Sequence, residues 1–133
     1  MPSRIEFRKL PLPPASIYDV YIVYENERSI VQDKFKAALT ENERDSVKAL
    51  VTRMSENENY RSPKIKYNLS GYDYGEIRPM PHRFFFFQKC GNNYVFFDYY
   101  EKKTNKLPDR IYKQINEKKI RYEREFEQFF QGA

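Results

Sequence analysis

Six cations and two tyrosines in the second half of this chain are the residues best suited to chemistry. Arg78 and Arg83 bracket a Pro-rich bend, and Tyr99 and Tyr100 lead directly into Lys102 and Lys103. Lys64 and Lys66 precede all of them. Guanidinium forks hold phosphate bidentately and aromatic rings stack on bases, so these side chains, brought to one place, suit single-stranded RNA. Cleaving RNA there without a metal needs three things: a base for the 2′-OH, cations on the crowded phosphate and an acid for the leaving oxygen. Lysine, tyrosine and arginine share those tasks when neighbours shift their pKa values. No carboxylate pattern of a two-metal nuclease is visible, so neither a metal nor a cofactor is expected. His82 is the sole histidine, which leaves no histidine pair, and it reads as an ordinary strand or turn position. Each cation also has a plain structural reading. Arg78 could pair with an acidic neighbour such as Glu76, Arg83 could open an exposed strand, and Lys102 and Lys103 could be a solvated exit from a sheet.

The charge supports a polyanionic or acidic target. The 133 residues carry a net charge of +5, unevenly spread. Residues 1–59 hold 9 Lys/Arg against 10 Asp/Glu, a balance of −1, whereas residues 60–133 hold 15 against 9, a balance of +6. The basic half is also the aromatic one, and 12 Tyr with 11 Phe can close a core despite 32% charged residues, which excludes global disorder. No stretch is long and apolar enough for a membrane span, and the first sixteen residues lack the apolar run of a secretory signal. Cys90 is the one cysteine, so no intrachain disulfide forms and a reducing, cytoplasmic setting is expected.

The elements that must position these residues are legible as one domain, residues 17–133, behind an N-terminal arm, residues 1–16. The arm could be an edge strand or a loose tail, since Arg4–Arg8 alternates weakly before Pro11-Leu12-Pro13-Pro14. Residues 17–24 are β-branched and aromatic, which predicts a strand. A helix over Ser29–Leu39 would gather Ile30, Val31, Phe35 and Ala38 on one side. A second begins at a capping box, Thr40 with Glu43, and buries Val47, Leu50, Val51 and Met54. Residues 55–73 form a connection with a short extended piece, Lys64 and Lys66 lying on one side of it. Strands are predicted over Tyr74–Met80, Arg83–Lys89 and Tyr94–Glu101, with Gly91-Asn92-Asn93 as a hairpin turn. Tyr99 and Tyr100 then alternate, one core and one exposed. After Pro108 a long helix would pack Ile111, Ile115, Tyr122, Phe126 and Phe129 on the sheet and show Lys113, Lys118, Lys119, Arg121 and Arg124 to solvent. The fold class is α+β: a strand, a helical hairpin, a three-stranded antiparallel meander and a C-terminal helix packed on the sheet.

Gly75-Glu76-Ile77-Arg78, His82-Arg83 with its phenylalanine run, and Tyr94–Tyr100 leading into Lys102-Lys103-Thr104-Asn105-Lys106-Leu107-Pro108 resemble the RelE/ParE toxin superfamily. The nearest branch is HigB-like and phage-derived, and the likeness spans roughly residues 17–130. It implies a RelE-like fold and a toxin of a bacterial type II toxin–antitoxin pair. Such a toxin is a metal-independent mRNA endonuclease acting on the ribosome and inhibiting translation, neutralised by a small antitoxin that is acidic or carries a helix-turn-helix. By position, the resemblance gives Arg83 contact with the scissile phosphate and Arg78 the role of the preceding strand's arginine. It assigns Lys102 and Lys103 to RNA or ribosome contacts. Asp98 stands where many members carry histidine, and Tyr100 where phenylalanine is common, which leaves Tyr99 or Tyr100 as substitutes for the proton donor. The superfamily also includes gyrase inhibitors, so a non-catalytic toxin or a degenerate RNA- or protein-binding domain is the alternative.

Overall fold

Alternation of large apolar side chains in residues 84–99 makes a sheet with two buried faces. A computed structural model describes residues 3–58, 60–79, 81–91, 93–102 and 107–132. It shows an α+β fold with six strands in one mixed sheet and three helices. The strands are β1 (Ile5–Lys9), β2 (Val20–Glu25), β3 (Ile65–Lys66), β4 (Gly75–Ile77), β5 (His82–Lys89) and β6 (Asn93–Glu101). Their spatial order is β1-β2-β6-β5-β4-β3, with β2 and β6 parallel and every other pair antiparallel. The arm therefore adopts the strand reading, with Phe7 buried in the core.

Helices α1 (Ile30–Ala37) and α2 (Glu41–Glu56) cover one face, and α3 (Asp109–Gly132) the other. On the α3 face, Phe7, Tyr21, Phe85, Phe87, Val95 and Phe97 meet Ile111, Ile115, Tyr122 and Phe126. Edge-to-face ring pairs run through it, Phe126 lying 5.1 Å from both Phe7 and Tyr21. On the hairpin face, Ile22, Ile77, Phe84, Phe86 and Phe96 meet Val31, Val47, Leu50, Val51 and Met54. That face is looser: a cavity of about 340 Å³ remains between sheet and hairpin, partly closed by Leu10-Pro11-Leu12.

The capping box is present, Glu43 Oε1 accepting from the Thr40 N–H at 2.8 Å and Thr40 Oγ1 from the Glu43 N–H at 3.2 Å. Several expectations need correction. Helix α1 is shorter than predicted, with Ser29 as its N-cap, and Ile30 and Ala38 are exposed because Val31 and Phe35 take the inward stripe. Phe129 is exposed although its ring leans on Phe7 and Tyr21. Lys119, expected in solvent, is buried, its Nζ 2.7 Å from Glu123 and 3.7 Å from Asp73. The strand expected over Tyr74–Met80 is only Gly75–Ile77, Met80 lying outside the described residues. Gly75 is required there: a Cβ would come 2.5 Å from the Lys66 carbonyl oxygen and 2.7 Å from the Phe86 ring.

One irregularity aims the site residues. The β5–β6 register shifts between Phe85 and Phe86, so that Phe85 faces Asp98 while Phe86 faces Phe96. The extra residue, Phe97, bulges, and both Phe97 and Asp98 end on the α3 side. Alternation resumes beyond it, sending Tyr99 to the hairpin face and leaving Tyr100 opposite Arg83.

Candidate active site at one end of the sheet

Period-2 alternation sends neighbouring residues of β5 to opposite faces, and at its start that splits two polar residues: His82 and Arg83. Each anchors a separate buried network. On the α3 side, Arg83 has no exposed surface and neither does Glu76. Arg83 Nη1 donates to Glu76 at 3.2 and 3.3 Å, and Arg78 Nε donates to the same carboxylate. Glu76 and Arg78 are two residues apart on one pleat side, and the register carries Arg83 to the same place. One carboxylate thus gathers both arginines.

On the hairpin side, His82 Nδ1 lies 2.6 Å from the Tyr99 hydroxyl, and its Nε2 lies 3.4 Å from Glu43 Oε2. Burial, aided by Glu101 and Glu43, pushes the Tyr99 phenol up to about 12, so at neutral pH it is a hydroxyl. The Tyr99 hydroxyl, the two imidazole nitrogens and the Glu43 carboxylate thus form one continuous chain. Glu43 sits below the usual carboxylate range, chiefly through the Thr40 backbone N–H and further through His82, and is ionised at neutral pH. One Glu43 oxygen caps α2 while the other holds His82, which ties the helix start to the strand start.

Glu43 also borders an open cleft of about 510 Å³, lined by Asn42, Ser46, Pro63, Lys64, Arg78 and Pro79. Lys64 Nζ reaches Ser46 at 3.4 Å across it. The cleft therefore combines an ionised carboxylate, a lysine and an arginine, with an imidazole and a phenol behind the carboxylate. Such a set can accept a proton, hold an anion and reload a proton.

The sequence-derived residues distribute as follows. Arg78 and Arg83 meet at Glu76, and Arg78 shares the cleft with Lys64. Lys66 stands opposite Glu76 in register at the sheet edge. Tyr99 is buried and Tyr100 exposed, as the alternation predicts. Tyr100 faces Arg83 in register on the other side of the sheet from Tyr99. Lys102 donates its backbone N–H to Pro81 at 2.8 Å and so flanks the start of β5; Lys103 lies outside the described residues. Asp98 accepts from the Tyr99 N–H at 2.9 Å and from Lys118 at 3.1 Å, an anchor for α3.

Two functional candidates escaped the sequence reading. By sequence His82 reads as an ordinary strand or turn position and Glu43 as a helix cap, whereas the structure joins them through Nε2 and Oε2. The signal for Glu43 was its second carboxylate oxygen, which a capping box leaves over; nothing local shows that oxygen meeting residue 82. No family model and no curated protein matches this sequence.

Proposed function

We propose that the chain is the toxin of a type II toxin–antitoxin pair, a metal-independent mRNA endonuclease that works at the ribosome and inhibits translation. The resemblance of residues 75–108 to the HigB-like branch of the RelE/ParE superfamily supports this reading. So does the parallel β2–β6 pair beside an antiparallel β4-β5-β6 meander, which suits a RelE-like topology. The single observation that carries it is the cleft where Glu43, backed by His82 and Tyr99, meets Lys64 and Arg78.

In this reading Lys64 and Arg78 hold the scissile phosphate, Glu43, ionised at neutral pH, accepts the 2′-OH proton as that oxygen attacks phosphorus, and the Lys64 ammonium gives a proton to the 5′-oxygen as its bond to phosphorus breaks, leaving a 2′,3′-cyclic phosphate. The His82–Tyr99 pair keeps Glu43 oriented. Arg83 acts through Glu76 and Arg78, setting the guanidinium of Arg78 rather than touching RNA. Tyr100, Lys66, Lys102 and Lys103 bind the flanking strand or the ribosome, Tyr100 by stacking. The +6 half attracts an acidic antitoxin, whose complex weakens as salt rises. The protein then acts in the cytoplasm.

Transcript mapping after induction tests the reading. The wild type cuts within translated codons, and Glu43→Gln, which preserves the helix cap, lowers cutting about 100-fold or more, as loss of general base catalysis does. Lys64→Ala lowers it with the fold intact. Transcripts left whole by the wild type overturn the proposal. A second reading, a non-catalytic toxin or interaction module, draws on the complete burial of Arg83, the residue the resemblance assigns to the phosphate. Growth arrest with altered DNA supercoiling and uncut transcripts is its signature.

A further inference from the structure

The sheet ends unequally. At one edge, β3 has two residues, too few to template a partner. At the other, β1 offers five residues and no neighbour on its outer side among the described residues. Its hydrogen-bonding phase is set: the Leu10 N–H donates to Val20 and the Arg4 carbonyl accepts from Asn26, both toward the β2 side. In an antiparallel ladder the direction alternates along the strand, so the N–H and C=O groups of Ile5, Phe7 and Lys9 point outward.

We propose that a second copy of this chain pairs there, β1 against β1 antiparallel, about a two-fold axis through Phe7. Centring on Phe7 places Phe7 opposite its symmetry mate as a hydrogen-bonded pair, with Ile5 opposite Lys9 on each side. Glu6 then falls opposite Arg8 and Arg8 opposite Glu6, in the non-hydrogen-bonded pairs where side chains approach most closely. Shifting the axis to Glu6 or Arg8 would set like charges face to face. An edge strand dressed with charge normally repels partners; this one is complementary to itself in the one register that pairs all five of its residues.

The neighbouring surface agrees. Phe129 and Phe130, two of the few large apolar side chains left exposed, lie at the end of α3. The Phe129 ring is 5.4 Å from Phe7, and that of Phe130 is 5.9 Å from Phe126, which itself packs on Phe7. Pairing at β1 carries the aromatic core of the α3 face across the seam, where Phe129 and Phe130 of both copies cover the joined strands.

Sedimentation of the full chain over about 1–200 µM tests this, with a micromolar self-association expected of a small strand-pairing interface. Glu6→Arg alone should raise the dimer dissociation constant at least tenfold, with the circular dichroism spectrum unchanged, and E6R combined with R8E should restore it to within about twofold. Lys9→Pro removes an outward N–H without touching the β1–β2 ladder and should weaken dimers as much, which keeps the test decisive should Glu6→Arg fail to fold. A wild type that remains monomeric throughout overturns the proposal. So does a dimer indifferent to Lys9→Pro, or one that the charge swap leaves broken.

Discussion

Two buried polar networks sit back to back at one end of the sheet and solve the same problem differently. On the α3 side, Glu76, Arg78 and Arg83 form an ionic cluster, with Glu76 and Arg83 wholly removed from water. On the hairpin side, Tyr99 and His82 form a hydrogen-bonded pair that ends on the half-exposed Glu43. Buried charges are stable only together, because the desolvation of each is offset by the others. The second network stands on individual hydrogen bonds and gives up its outer member, Glu43, to a cleft. In the proposed reading Glu76 and Arg83 hold the first network together, and only its outer member, Arg78, joins Glu43 in the cleft.

The largest effect that tests this contrast is expected from Arg83. Arg83→Met leaves Glu76 buried with a single guanidinium and should destabilise the protein by about 3–5 kcal/mol, read by denaturant unfolding. Adding Glu76→Leu should recover only part of the loss, since the stranded carboxylate has gone but Arg78 loses its Glu76 partner; recovery should become fuller when Arg78→Met is added as well. Loss of the proposed RNA cleavage in Arg83→Ala would for the same reason be no proof of a catalytic role, and Glu43→Gln is the informative variant.

Breaking the second network should cost less. Tyr99→Phe removes the hydroxyl facing His82 Nδ1 and should destabilise by about 1–2 kcal/mol. A loss as large as that of Arg83→Met would mean that the Tyr99 hydroxyl supports more than this one hydrogen bond.

The α3 face holds a further ionic clasp with its own pH signature. Arg121 donates to Glu25 at 2.6 and 3.1 Å, Tyr122 donates at 2.7 Å, and these bonds, Arg121 first, hold the Glu25 carboxyl down to about 2. Because the folded value lies below the ordinary 4.5, the stabilisation is complete above that pH and is lost as pH falls toward 2. With Arg121 half exposed the contribution is about 1–2 kcal/mol, and Glu25→Gln should flatten the acid limb of a stability–pH curve by that amount.

The smallest change concerns the turn that joins the strands bearing both networks. Cys90 has φ 56°, a left-handed conformation that costs a side chain energy. Cys90→Gly should therefore be neutral to stabilising, by at most about 1 kcal/mol in thermal unfolding. A clear loss would point to the Cys90 side chain, which leans on the α3-face core.

Much of the scaffold was readable before any coordinates. Thr40 and Glu43 announced a helix start, and Val47, Leu50, Val51 and Met54 named its buried stripe, because caps and 3.6-residue periodicity are local properties. The aromatic runs of β5 and β6 announced strands for the same reason. The site was less legible. Arg78 and Arg83 were visible as cations, yet their burial depends on Glu76 lying across a strand pair. Lys119 was placed in solvent by its helical phase, and a partner from the loop, Asp73, together with Glu123 drew it inward.

By itself, the sequence determined which residues alternate and which are cationic, aromatic or capping, since each of those is decided within a few residues of chain. Only the tertiary structure decided which face each occupies. The bulge at Phe97 resets the pleat, so Asp98 turns to α3 and Tyr99 to His82. Without that one extra residue every side chain beyond it would change sides, because a strand's period is two and a single insertion inverts it.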